Sequence, residues 1–157
     1  MNRVFIGFML MVAAACSEAG TSGKEWLTGS EDDRFTTVSR HLRGLDMTMF
    51  EIGYRYNELY WAGRDHNWEY ASYQIGKIDY TLKLGLERRP ARAPAAKMIE
   101  QPIAALKRAI EERDPAGFTA RFADLTRTCN TCHTAEKVEF MHVQPPTVRI
   151  SPIHGAR

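Results

Sequence analysis

An all-α fold, an antiparallel four-helix bundle followed by an irregular Pro-rich C-terminal tail, is what this sequence predicts. Apolar residues return at intervals of three and four over most of residues 34–136, and turn and proline signals cut that pattern into four stretches. The turn between the first two stretches is short, so those neighbours are expected to run antiparallel. A hydrophobic fraction of 44% in 157 residues suits one domain with a real core and excludes a wholly disordered chain.

The first helix is expected to begin after the acidic cluster Glu31, Asp32, Asp33 and to run to about Ala62. Its apolar stripe is Phe35, Val38, Leu42, Leu45, Met49, Ile52, Tyr56 and Leu59. Gly63, Arg64, Asp65, His66 and Asn67 read as a turn, with Asn67 suited to cap the next helix. The second helix carries Ala71, Ile75, Ile78 and Leu82 on one face. It should stop where Arg88 and Arg89 suit the carbonyl end and Pro90 prevents continuation. In the third, Ile99, Ile103, Leu106 and Ile110 are in register, and Pro102 demands either a late start or a kink. Asp114 and Pro115 make a cap and a first helical position for the fourth, which continues through Phe118, Phe122, Leu125, Cys129 and Cys132. Beyond Lys137, Pro145, Pro146 and Pro152 exclude regular helix, while Phe140, Val143, Val148, Ile150 and Ile153 are apolar enough to lie against the helices. The sequence contains no internal repeat.

The N-terminal segment belongs to another category. Arg3 precedes an almost wholly apolar run from Val4 to Val12, and Ala13, Ala14 and Ala15 are small, the pattern of a secretory signal. The run is shorter than the roughly 20 residues a helix needs to span a bilayer. Ala13-Ala14-Ala15-Cys16 resembles the lipobox of bacterial lipoproteins, in which cleavage leaves a lipidated cysteine at the mature N-terminus. The alternative is an ordinary signal peptide with an incidental cysteine. The organisation expected is thus a signal peptide over 1–15, a flexible tether over 16–33, the four-helix domain over 34–136 and a packed tail over 137–157. Location is periplasmic, with acyl chains on Cys16 as the sole membrane contact. The net charge is only +2 and its signs are interspersed, so no basic stripe suited to nucleic acid stands out.

Cys129-Asn130-Thr131-Cys132-His133 carries the chemistry. Two thiols three residues apart on a helix can meet two vinyl groups on one edge of a haem, and the adjoining imidazole can bind its iron. Cys129 and Cys132 are therefore expected to hold one covalent haem c, with His133 as the proximal iron ligand. A redox dithiol and half of a zinc site share the CxxC spacing. The former usually opens a helix after a strand, yet no strand alternation precedes Cys129, and the latter lacks further ligands at close spacing. Export agrees with haem, because c-type haem is attached outside the bacterial cytoplasm.

With an export signal, four helices and CxxCH near the end of the last, the chain resembles the class II c-type cytochromes, the cytochrome c prime group and its low-spin relatives. Glu58-Leu59-Tyr60-Trp61-Ala62-Gly63, Asn67-Trp68-Glu69 and Gln144-Pro145-Pro146-Thr147 also look like segments of small bacterial bundle cytochromes. The resemblance implies roles for Cys129, Cys132 and His133, a first helix facing the sixth position of the iron, and pairing of two copies through their first helices. The longer Pro-rich tail departs from the cytochrome c prime pattern.

The sixth position decides function: a methionine there favours electron transfer, whereas an apolar pocket leaves a site for NO or CO. Met49, on the apolar stripe, is the first candidate, Met47 the second and His41 the third; a core methionine filling a gap is the competing reading of Met49. Met141 and His142 are within reach, since eight or nine extended residues span about 27 to 30 Å. His66 reads as a turn residue and His154 as a tail residue. Tyr54, Tyr56, Tyr60, Trp61, Trp68, Tyr70 and Tyr73 read as core and helix contacts rather than an electron conduit. Arg88, Arg89 and Arg92 read as a solvated helix end rather than partners of haem propionates. No acid and base pair suggests catalysis, so the expectation is a one-electron carrier working with a redox partner protein. The alternative is a gas-binding protein with an open sixth position.

Overall fold

A computed structural model describes residues 25–154; the expected signal peptide and Cys16 lie outside them. Helices α1 (Glu31–His41), α2 (Leu45–Arg64), α3 (Trp68–Arg88), α4 (Ala93–Ala96), α5 (Glu100–Glu111) and α6 (Pro115–Ala135) follow in order. Short 3₁₀ turns at Pro90–Arg92 and Lys97–Ile99 flank α4. Among the described residues there is no strand, and no helix is long and apolar enough to cross a membrane. The chain divides after Leu42 into two compact units.

The single first helix expected from periodicity is two helices. α1 starts with the acidic cluster, not after it. Ser30 Oγ accepts the Asp33 N–H at 3.2 Å and the Asp33 carboxylate accepts the Ser30 N–H at 2.9 Å, a reciprocal cap that places Glu31, Asp32 and Asp33 in the first turn. The break falls where Arg43 adopts φ 49° and Gly44 is extended. Asp46 restarts the helix by accepting the Gly44 N–H at 3.1 Å. Of the first three members of the expected stripe, Phe35 and Leu42 are exposed and Val38 is half-buried.

Within the second unit α2 packs on α3, α3 on α5, α5 on α6 and α6 on α2. The other predicted boundaries match local chemistry. Asn67 caps α3 by accepting the Tyr70 N–H at 3.2 Å, α3 stops before Pro90, and Asp114 caps α6 by accepting the Ala116 N–H at 3.0 Å. Pro102 marks a late start: it sits in the first turn of α5, where a backbone N–H has no helical partner to lose.

The core brings together Tyr56, Leu59 and Ala62 of α2, Ala71, Ile75 and Ile78 of α3, Ile103, Leu106 and Ile110 of α5, and Phe118, Phe122 and Leu125 of α6. A fully buried Leu, Ile or Phe contributes about 1.5–3 kcal/mol of transfer free energy, so these positions dominate the association of the helices. Two glycines permit close approach. A Cβ at Gly63 would meet the Phe118 ring at 2.1 Å, and one at Gly85 would meet Thr48 Oγ1 at 2.6 Å.

From Val138 to His154 no helix or strand forms, and of the apolar residues expected to lie against the helices Phe140, Val148, Ile150 and Ile153 are exposed; the segment is tied down by other contacts. Val143 packs against the core, the Val148 carbonyl accepts from Asn57 Nδ2 and Trp61 Nε1, and Arg149 makes two 2.8 Å bonds to Asp65.

Candidate functional site

Helix α6 carries the pentad on its last turns, with Cys129 touching the core one turn beyond Leu125. Cys129, Cys132 and His133 line one cavity of about 430 Å³, within the usual range for small-molecule and cofactor sites. Met49 and Ile52 of α2, Ile78 and Leu82 of α3, Ala96 of α4 and Ile99 form much of the remaining wall. Met141 of the tail lies at the same cavity.

Of the sequence-derived candidates, the cavity therefore gathers Cys129, Cys132, His133, Met49 and Met141. Met47 lines a different depression, between α2 and α3. His142 and His154 are exposed and absent from the wall, and His66 is a turn residue with φ 56° stacked on Trp68. His41 belongs to the first unit, where it meets Trp26 edge to face. Of the three arginines only Arg92 reaches the cavity, where it pairs with Glu136. Arg88 instead donates to Thr48 Oγ1, and Arg89 to the Arg88 carbonyl. Tyr56, read as a core residue, also lines the cavity. Thr126 Oγ1 donates to the Phe122 carbonyl, so the 2.6 Å contact between Tyr56 and Thr126 is a bond that Tyr56 donates.

Burial, and then the adjacent Cys132, push the Cys129 thiol up to about 12. Burial and then Glu136 raise Cys132 as well. Both therefore stay neutral thiols at ordinary pH, at the carbonyl end of a helix, where the dipole also disfavours an anion. A reactive redox pair needs the reverse environment. Nor do any three His, Cys, Asp or Glu side chains among the described residues converge as the ligand shell of a bare ion.

The imidazole of His133 has a defined role for one nitrogen. Nδ1 lies 2.5 Å from the Met141 carbonyl oxygen. A carbonyl can only accept, so Nδ1 carries the proton and a neutral ring keeps its free lone pair on Nε2. Carbonyl-oriented histidines of this kind are common among metal ligands.

These residues fit the haem that the pentad implies. A thioether is uncharged and apolar, so the burial that penalises a thiolate at Cys129 suits the attached form. The wall is overwhelmingly apolar; its charged members are Asp46, paired with Arg43, and the Arg92–Glu136 pair. Sequence reasoning missed Glu136 as a wall residue and passed over Asn130 as a spacer. Asn130 instead ties α6 to the tail, because its Nδ2 donates to the Val143 carbonyl and its Oδ1 accepts the Val143 N–H, both at 2.8 Å. Compared with known proteins, the chain matches no family model, no curated protein and no solved structure.

Proposed function

We propose that this protein is an exported, single-haem c-type cytochrome of the class II kind that passes one electron to and from a redox partner. In this reading the four long helices of the second unit form an antiparallel bundle closed by the Pro-rich tail. Cys16 anchors the protein at the periplasmic face of a membrane. The observation that carries the reading is the apolar cavity that joins CxxCH on α6 to Met49 on α2. When bound, the haem supplies an iron(II)/iron(III) couple. Cys129 and Cys132 would hold it through sulfur, His133 would offer Nε2 to its iron, and Met49 would offer a thioether. Leu45, Ile52, Ile78, Leu82 and Leu125 exclude water, which limits the solvent rearrangement that accompanies a change of charge.

The apolar side chains around Met49 favour a second reading, in which its sulfur stays off the iron and NO or CO takes that position. The visible spectrum of the ferrous holoprotein separates the two. Electron transfer through a six-coordinate site predicts sharp, split low-spin bands and slow, ligand-exchange-limited reaction with CO. Met49→Ala should then convert the spectrum to a broad high-spin form. A high-spin wild-type spectrum with immediate CO binding would overturn methionine ligation and leave the gas-binding reading. A low-spin spectrum unchanged by Met49→Ala would remove Met49 from the ligand set.

A further inference from the structure

Asn130 is the second residue of the pentad, a position that the thiol and imidazole chemistry leaves unassigned. It lies half-buried on α6 and spends its whole side-chain amide on one residue of the tail, giving to the Val143 carbonyl and receiving the Val143 N–H. The two bonds fix the amide's orientation, because the nitrogen can only donate and the oxygen only accept. The Val143 side chain packs against the core, so this residue is held through backbone and side chain together.

Two residues earlier in the same extended segment is Met141, whose carbonyl meets His133 Nδ1. The intervening return is pinned at its start: the Val138 N–H donates to the His133 carbonyl at 2.8 Å, and the Met141 N–H to the Val138 carbonyl at 2.9 Å. The chain thus leaves His133, turns, and is brought back to the same imidazole, with Asn130 one helical turn away as the clasp.

We propose that Asn130 is a positioning residue: by gripping Val143 it holds the Met141 carbonyl on His133 Nδ1, and so sets the tautomer and donor strength of the imidazole. The proposal rests on His133 being an iron ligand. A carbonyl accepting from Nδ1–H makes the other nitrogen a stronger donor, which favours the ferric state; release of the clasp should therefore raise the midpoint potential.

The test compares holoprotein carrying Asn130→Ala, Asn130→Asp or Asn57→Ala with wild type. Covalent haem content, midpoint potential and hydrogen exchange of the peptide containing Val143 are measured on each. Asn130→Ala should shift the ferric-to-ferrous balance about tenfold toward ferrous, roughly 59 mV upward for one electron, and lose protection at Val143. Asn130→Asp keeps the acceptor for the Val143 N–H but not the donor, and should move the potential less, in the same direction. Asn57→Ala cuts a tail contact at Val148, beyond the clasp and involving neither Asn130 nor His133, and should leave the potential at the wild-type value. Equal haem content with an unchanged potential in Asn130→Ala, or an equal shift in Asn57→Ala, overturns the positioning role. Wild-type chain that takes up no haem would defeat the cytochrome reading itself. The exchange comparison would then still judge the clasp: Val143 equally unprotected in wild type and Asn130→Ala would refute it.

Discussion

The four long helices of the second unit are filled differently at their two ends. Where α2 turns into α3 and α5 into α6, aromatic rings close the space: Phe118 lies against Phe122, Trp68 meets Phe118 edge to face, and Gly63 gives up its side chain so that the Phe118 ring can touch the backbone of α2. At the opposite end of α6, beyond Leu125, residues of similar apolarity surround about 430 Å³ of cavity. Both ends continue apolar stripes, and the difference lies in ring content: apart from Tyr56 and His133 the cavity wall carries no aromatic side chain. Met49, Ile52, Ala96 and Cys129 stand at the cavity end, against Tyr60, Trp68, Phe118 and Phe122 at the turn end. A helix stripe specifies burial without specifying what it is buried against; one end is filled by the protein's own rings, and the other leaves about 430 Å³ of largely apolar space.

The largest test of that contrast removes both sulfurs. Cys129→Ala with Cys132→Ala should abolish covalent haem and lower the melting temperature by on the order of 10 °C. Losing contacts across an apolar cavity costs several kcal/mol, and each kcal/mol moves the midpoint by about 2–8 °C in domains of this size range. A melting curve that matches the wild type would show that the cavity end is self-sufficient. Gly63→Ala strikes the other end, where the new methyl meets Phe118 at 2.1 Å. Overpacking of this kind costs about 1–3 kcal/mol, so denaturant titration should show that loss while the haem spectrum keeps its wild-type form. A changed spectrum would mean that the ends are coupled.

The smallest effect concerns the α3 and α5 flank that joins the two ends. Burial raises the Asp79 carboxyl, but the hydrogen bonds and charges of Lys107 and Lys83 outweigh it and leave the group below its ordinary value. The carboxylate's stabilisation is therefore complete above the unfolded Asp value of about 3.9 and is lost as pH falls through the lower folded value. Asp79→Asn should cost about 1 kcal/mol or less at neutral pH and flatten part of the acid limb below about pH 4. Thermal melts across that range check it; an acid limb as steep as wild type would assign the sensitivity to other carboxylates.

What could be read from the sequence follows from where each signal resides. Asn67, Pro90 and the Asp114-Pro115 pair act on their own neighbours, so the limits of α3 and the start of α6 were legible. The break before Gly44 was not, because Leu42 and Leu45 keep the helical spacing across it while the deviation lies in the backbone angle of Arg43. Met49 was legible as a wall residue because it lies on the same stripe as Ile52 and Tyr56. The tail was expected to lie against the helices, but the bonds that hold it were hidden, since they are made by the carbonyls of Met141, Val143 and Val148, which every residue possesses. Arg92 and Glu136 meet across distant stretches of chain, and neither carries a mark that announces the other.

The most direct measurement is the intact mass of the mature polypeptide, produced in a bacterial host that attaches c-type haem in its periplasm. The mass should exceed that of the polypeptide by one haem, with Cys129 and Cys132 both unavailable to alkylation. A polypeptide with no porphyrin mass and two freely alkylated thiols at these positions would contradict the account.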